Sequence, residues 1–451
     1  MPQLADPTEP GGHGEGRVTA TVPAPAAGRV LFRRCSGWRR VLLPLVAALV
    51  GIAVVPPAVV TAALATTESD FYQAPAPLPE GRPGQLIRYA NSSVNLGLGA
   101  PAANAWTVMY HSRDARNRDV PVTGTVLTPT TAWTQNGPRP ILTPRPILTL
   151  TVGTHGLGPQ CAPSRQLVAG TENEAGKISM ALQKGWGVVV TDYVGYTTGA
   201  TPSYLVGPDM AHAALDIVRA AAQVPGAGLE AGAPLVVWGY SQGGRASAWA
   251  TAIQPRYAPE LHLVASASGG IPVDTEGLVQ FNNRNIGAGF ALASLIGNEV
   301  TYLTQFPFSR ELNAEGRAAV ATAKQQCTLD LLITFLFKDL NTYFKPGRSL
   351  GQFLDQPSVA AVYEAERLTN QPAPQVPWYQ YHGILDELVP LKQGQSLHHE
   401  WCGQGVRTRL DYYPGTHGLT DTEAQPIAIQ WLHDVLSGRP IQTTGRCTSR
   451  T

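Results

Sequence analysis

The sequence predicts an α/β protein: a mostly parallel central sheet flanked by helices, with a helical segment inserted late in the chain. Three observations carry that expectation. Short apolar runs alternate with amphipathic stretches between about residues 147 and 267, the spacing of parallel strands joined by crossover helices. One of those runs, Leu235-Val236-Val237-Trp238, ends abruptly in Gly239-Tyr240-Ser241-Gln242-Gly243-Gly244, and helix-compatible residues follow over 245–251. Over 275–370 the strand signals stop, and only helix-like segments remain until strands resume near residue 377.

Taken in order, residues 1–65 read as a secretory signal peptide with a long basic start. Arg33, Arg34, Arg39 and Arg40 precede an apolar run over 41–60, and Ala63-Leu64-Ala65 is an A-x-A cleavage pattern before Thr66. The run is long enough to cross a bilayer, which makes a retained anchor the competing reading; Pro44, Pro56, Pro57 and the A-x-A ending favour cleavage. Arg39-Arg40 is a faint twin-arginine signature, but the strongly apolar core suits the general export route better. The remainder, 66–451, is expected to be one domain, with 275–370 forming a helical cap over one edge of its sheet.

Residues 70–98, rich in Pro and Gly, read as an extended lead-in, and Asn91-Ser92-Ser93 is a formal glycosylation sequon within it. Alternating patterns over 105–112 and 120–128 flank a polar turn, predicting a hairpin at a sheet edge. The block PRPILT occurs twice in tandem over 138–149. Only the second copy continues into ILTLTVG, so the next strand is assigned to 147–152 and the first copy to a surface duplication. A helix over 174–184, a buried strand over 187–191, an amphipathic helix over 209–224 and strands over 235–238 and 263–267 complete the alternation. Cap helices are expected over 286–296, 314–324, 329–340 and 359–368, with Phe306-Pro307-Phe308 and Phe335-Leu336-Phe337 as exposed apolar clusters. Strands over 377–382 and 406–413 and a helix over 421–435 close the chain.

Composition narrows the partner. Lys+Arg number 33 against Asp+Glu 32 in 451 residues, which leaves no basic field for nucleic acid and no acidic tail. Without residues 1–65 the net charge becomes −2 and Cys35 is lost. Cys161, Cys327, Cys402 and Cys447 remain, an even number in an exported protein, which argues for two disulfides. Three pairings are open; Cys161 with Cys327 and Cys402 with Cys447 is favoured. Metal-ligand spacings of the C-x-x-C or H-x-x-x-H type are absent from the sequence.

The chemistry is read from residues 239–243. G-x-S-x-G between a strand and a helix is a nucleophile elbow: the glycines let a sharp turn close, and the Ser241 hydroxyl is held out at the end of the strand. The bland alternative is a serine in an ordinary Gly-rich turn. A serine needs a base, and the base a carboxylate to orient it. Asp386 follows the strand over 377–382, and His417 follows the strand over 406–413 between Thr416 and Gly418. His398, His399 and His433 fall on predicted helices, and His382 on a strand, where packing or support of the site is expected; Glu387 is the rival to Asp386. Oxyanion donors are expected from the backbone N–H of Gln242 and from Gly156 or Leu157 in the Gly153-Thr154-His155-Gly156-Leu157-Gly158 loop, with His155 structural. Asp192, in the TDYVG segment, and Tyr240 are candidates to support the site from behind.

The combination resembles the secretory lipase family of the Candida antarctica lipase A type, within the α/β-hydrolase superfamily. The residues that carry the resemblance are Cys161-Ala162-Pro163-Ser164, TDYVG, GYSQGG, Ser268-Gly269-Gly270 with Pro272-Val273, Asp386-Glu387-Leu388-Val389-Pro390 and Thr416-His417. It implies an α/β-hydrolase fold with a helical lid, the favoured disulfide pairing, and hydrolysis of triacylglycerols and other long-chain esters. Ser241 is then nucleophile, Asp386 the orienting acid and His417 the base. The resemblance implies no metal and no organic cofactor. Its partners are a lipid or ester substrate and a transient lipid–water interface, with no nucleic acid and no protein partner. Two departures stand out: THGLG replaces a loop that supplies an acidic donor in the yeast enzyme, and only four residues follow Cys447, shortening any C-terminal flap.

Overall fold

In this computed structural model, residues 71–133, 144–441 and 447–450 are described. The predicted signal peptide and the first PRPILT copy lie outside them. The lead-in holds more structure than its composition suggests. Strand β1 (Leu86–Asn91) pairs antiparallel with β2 (Ala103–Arg113), which pairs with β3 (Asp119–Pro129) in unbroken register from Ala103–Pro129 to Arg113–Asp119. As an edge strand with no fully buried residue, β1 carries no apolar alternation for a sequence reading to detect.

The alternation follows as expected. Strand β4 (Ile147–Thr151) leads into a short helix α1 (Pro163–Ala169), missed in the sequence, and then α2 (Ala175–Gln183). Next come β5 (Gly187–Val194), α3 (Gly207–Ala221), β6 (Leu235–Tyr240), α4 (Gln242–Tyr257) and β7 (Leu263–Gly269). Strand β5 runs on through Asp192, so that residue lies within the strand rather than on the loop after it. From 275 to 370 the chain is helical: α5 (Thr275–Asn282), α6 (Ala288–Tyr302), α7 (Phe308–Glu311), α8 (Ala314–Ala323), α9 (Thr328–Thr334), α10 (Leu350–Leu354) and α11 (Pro357–Glu366). Strand β8 (Trp378–Gly383), α12 (Leu391–Gly403), β9 (Thr408–Tyr413), α13 (His417–Leu436) and β10 (Cys447–Arg450) complete the described residues.

The ten strands form one sheet in the order β1-β2-β3-β5-β4-β6-β7-β8-β9-β10. Pairings from β1 to β5 are antiparallel, and every pairing from β5 through β4 to β10 is parallel. The parallel strands β4 and β6 are buried along their whole length, which is why they read as continuous apolar runs. The order turns back at β4, so the loops leaving β4 and β6 lie side by side at the carboxyl ends of adjacent strands, where open α/β sheets bind ligands.

The inserted helices carry a second apolar core that also takes in Leu157, Tyr204 and Leu205 from the loops after β4 and β5. Phe306 and Phe308 belong to it and are almost fully buried, correcting their reading as an exposed cluster. Phe306 meets Phe353 edge-on at 5.1 Å and Tyr363 at 5.5 Å. Such pairs add about 0.5–1.5 kcal/mol each beyond burial. Around α9 the reading divides: Leu331 and Phe335 point inward, while Leu329, Ile333, Leu336 and Phe337 are 64%, 64%, 49% and 59% exposed. The disulfides join Cys161 to Cys327, and Cys402 to Cys447. The first ties the loop after β4 to the start of α9; the second ties α12 to the edge strand β10.

Candidate active site

Residue 241 joins β6 to α4 with φ 59° and ψ −121°, a strained conformation for a non-glycine residue. Its amide donates to the Gly269 carbonyl at 2.9 Å, and its carbonyl accepts from Arg245 N at 3.0 Å, so the turn is fixed on both sides. The flanking glycines are required by proximity. A Cβ on Gly239 would stand 2.2 Å from Thr151 Oγ1, and one on Gly243 would stand 1.9 Å from the Thr151 carbonyl. The G-x-S-x-G spacing thus lets β4 and the elbow pack backbone to backbone.

The other two sequence-predicted residues meet each other. Asp386 Oδ2 lies 2.7 Å from His417 Nδ1. Asp386 Oδ1 accepts the amides of Leu388 at 3.0 Å and Val389 at 2.7 Å, which orients the carboxylate. Burial pushes this carboxyl upward, but hydrogen bonds from His382 and His417 and their charges outweigh it and hold the group well below the usual carboxylate range. Asp386 is therefore an anion that fixes the proton on His417 Nδ1 and leaves Nε2 free to accept one. His382 lies behind it, with Nε2 3.0 Å from the Val389 carbonyl and 3.4 Å from Asp386 Oδ2. Glu387 has a different partner: its carboxylate accepts the His417 amide at 3.0 Å.

His417 is the first residue of α13, not a loop residue. Its ring packs against Tyr240, 4.8 Å between centroids, and the Tyr240 hydroxyl donates to the His417 carbonyl at 2.7 Å. Tyr240, the residue preceding Ser241, therefore clamps the histidine against the elbow. Among the described residues no hydrogen bond joins Ser241 Oγ to the ring; in free hydrolases this bond is commonly long and shortens with substrate bound.

The oxyanion assignments need correction on the β4 side. Gln242 opens α4, so its amide has no partner inside the helix. The Leu157 amide, however, is spent on the Gln326 carbonyl at 2.9 Å, and Gly156 packs against Gln326 and Cys327 with its carbonyl accepting from Tyr196. The residue beside the serine is Gly153: a Cβ built on it would lie 4.0 Å from Ser241 Cβ. Among the described residues, the amide of Thr154, one step on, makes no hydrogen bond, while Thr154 Oγ1 meets Tyr204 Oη at 2.7 Å and the Thr154 carbonyl accepts from Thr328. Nothing in the glycine pattern separates 153–154 from 156–157; the signal was the position immediately past the strand end. Asp192 braces the neighbouring loop, accepting from Ser164 N at 2.7 Å, Ser164 Oγ at 2.5 Å and Thr123 Oγ1 at 2.6 Å; among the described residues it makes no hydrogen bond to Ser241, Asp386 or His417.

A profile of the family described as Secretory lipase matches residues 162–444, well over half of the chain. The chain belongs to the secretory lipase family. Its relatives include Lipase A of Arthroderma benhamiae, 28% identical over 83% of this chain and 81% of that protein. Another is the secreted triacylglycerol lipase LIP5 of Malassezia furfur, 27% identical over 63% of this chain and 76% of that protein. Among solved structures, Candida antarctica lipase A in its closed state superposes with a TM-score of 0.74 at 22% identity, covering 84% of this chain and 88% of that one. The rice cell wall degrading esterase LipA of Xanthomonas oryzae gives 0.63 at 18%, covering 80% of this chain and all of that one. The fold is that of the α/β-hydrolase lipases and esterases.

Proposed function

We propose that this secretory lipase hydrolyses triacylglycerols and other long-chain carboxylic esters through an acyl-enzyme on Ser241. His417 Nε2 takes the hydroxyl proton as Ser241 attacks the ester carbonyl. The Gln242 amide and an amide at Gly153–Thr154 bind the oxyanion; the imidazolium then protonates the leaving alcohol. Water, activated by the same ring, releases the acid. The observation that carries the reading is the 2.7 Å Asp386–His417 contact, held against the strained elbow by Tyr240. Apolar side chains exposed beside these loops, Leu329 and Ile333 on α9, Ile384 and Leu385 before Asp386, and Leu419 after His417, favour a lipid substrate met at a lipid–water interface, with 275–370 as the cap. Export after cleavage before Thr66 completes the proposal, and N-terminal sequencing of protein recovered from culture medium checks it.

Release of p-nitrophenol from acetate, octanoate and palmitate esters by wild-type and Ser241→Ala protein tests the reading. Turnover favouring the longer esters and abolished by the substitution is expected. Preference for acetate makes it a short-chain esterase, faster release with added alcohol makes it an acyltransferase, and no turnover leaves a lipid-binding protein.

A further inference from the structure

A cluster of buried charges lies beneath the loop that leaves β4, separate from the Asp386–His417 pair. His155, Glu172, Glu174 and Lys177 are all at least nine-tenths buried. His155 Nδ1 lies 2.9 Å from the Gly153 carbonyl, which can only accept, so Nδ1 carries a proton. Nε2 lies 2.7 Å from Glu172 Oε2. Burial pushes the Glu172 carboxyl upward, but the facing His155 holds it below its ordinary value, so it is ionised and Nε2 is protonated as well. His155 is therefore an imidazolium. Glu172 Oε1 accepts the Glu174 amide at 2.9 Å. One oxygen of Glu174 accepts the Gly153 amide, and the other accepts from Lys177 Nζ at 2.7 Å. Lys177 Nζ also lies 2.8 Å from Asp421 Oδ1, one turn beyond His417 on α13, and sits 5.6 Å and 5.8 Å from the Trp238 and Tyr240 ring centres.

We propose that Glu174 is a positioning residue for ester hydrolysis: with the His155 imidazolium it grips both polar atoms of Gly153, and through Lys177 and Asp421 it registers that peptide to the helix carrying His417. The inference rests on the hydrolase reading. Gly153 is the residue facing Ser241, and the Thr154 amide that follows it directly makes no hydrogen bond among the described residues, which leaves it free to act as a donor. An oxyanion donor displaced by an ångström loses most of its effect, so a flexible Gly-Thr turn needs anchors. Burying ions costs several kcal/mol each, and an apolar filling is commonly as stable or more so. Fixing a peptide in place is a role such a network fills and an apolar filling does not.

The test uses the full secreted protein, a soluble ester (p-nitrophenyl octanoate), and the rate of phosphonylation by a p-nitrophenyl alkylphosphonate, whose reaction draws on the same oxyanion donors. Glu174→Ala is expected to lower kcat roughly 100-fold, the range for a lost oxyanion donor, with KM within about threefold and phosphonylation slowed in parallel. Glu174→Gln leaves one carbonyl oxygen for two donors, Gly153 N–H and the Lys177 ammonium, and is expected to fall in between. Adding Lys177→Met removes the competing donor, so the double variant should be faster than Glu174→Gln alone. Wild-type kcat in folded Glu174→Ala overturns the proposal, as does a double variant slower than the single one. If Glu174→Ala does not fold, Asp421→Asn at the partly exposed end of the chain is read instead. A roughly fivefold drop in kcat at constant KM supports the coupling to α13, and an unchanged kcat overturns it. Wild-type turnover, and its loss in Ser241→Ala, judge the hydrolase reading independently of these variants.

Discussion

The catalytic edge of the sheet and the inserted helices are held together by different forces. At the edge, charges are sunk into the protein and fully engaged. Arg245, one turn after Ser241, is completely buried and donates to the carbonyls of Leu205 and Pro272 at 2.9 Å and to Glu366 Oε2 at 2.8 Å. In the insertion the ion pairs Arg284–Asp339, Lys338–Glu315 and Arg348–Glu311 stand in solvent. Exposed pairs of this kind are worth about 0–1 kcal/mol. Its core is instead aromatic and aliphatic, with Phe306, Phe308, Phe344 and Phe353 packed ring to ring. Directional bonds fix atoms to fractions of an ångström, as the reaction requires; apolar packing tolerates sliding. Glu366 is where the two regimes meet, since it sits on α11 yet accepts from Arg245, from Gly207 N at 2.8 Å and from the Tyr302 hydroxyl.

The sharpest way to break the comparison is to change one atom at the directional edge. Asp386→Asn keeps the shape but offers His417 the wrong partner, and kcat is expected to fall by roughly 10⁴ while the thermal midpoint stays close to wild type. Steady-state kinetics beside a melting curve checks this. Next in size is the joint. Glu366→Ala leaves the Arg245 guanidinium buried without its carboxylate and should lower unfolding stability by about 3–5 kcal/mol, read from urea titrations. A smaller effect is expected where packing dominates. Ile333→Ser with Phe337→Ser removes exposed apolar surface and should reduce turnover of emulsified triacylglycerol roughly tenfold, leaving p-nitrophenyl acetate hydrolysis unchanged, because side chains only partly inserted at an interface together recover a fraction, about 1.4 kcal/mol, of the roughly 1.5–3 kcal/mol that each brings when fully buried.

The smallest effect is on stability against pH. His155 is raised to about 9: burial lowers it, but Glu172 and the hydrogen bonds it makes raise it further. Its contribution is complete below the unfolded value near 6.5 and is lost as pH rises through about 9. His212, lowered to about 4 by burial, has finished titrating well below pH 7, while Asp209, raised to about 7 by burial, adds to the loss only up to about pH 8, leaving His155 to set the upper part of the window. Urea midpoints should therefore fall between pH 7 and 9.5 in wild type, and Glu172→Gln should flatten that fall.

What the sequence revealed follows the same division. Strands buried on both faces and an elbow with obligatory glycines write themselves as apolar runs and fixed spacings, so β4, β6 and the placement of Ser241, Asp386 and His417 were legible. Packing between non-local partners was not. Phe306 and Phe308 read as exposed because the residues that cover them, Phe344 and Phe353, lie some 40 positions away. Leu157 read as an oxyanion donor because nothing local reveals that Gln326 claims its amide. Strand β1 stayed hidden because an edge strand needs no alternation, and α13 starts at His417 rather than near 421 because Glu387, a distant carboxylate, accepts its first amide.

The central claim is that Ser241, His417 and Asp386 act as one unit, and covalent labelling tests it most directly. Protein treated with a p-nitrophenyl alkylphosphonate, digested and mapped by mass spectrometry, should carry a single adduct, on Ser241, and His417→Ala protein treated for the same time should carry none. An adduct on another residue, or equal labelling of Ser241 without the histidine, would contradict the account.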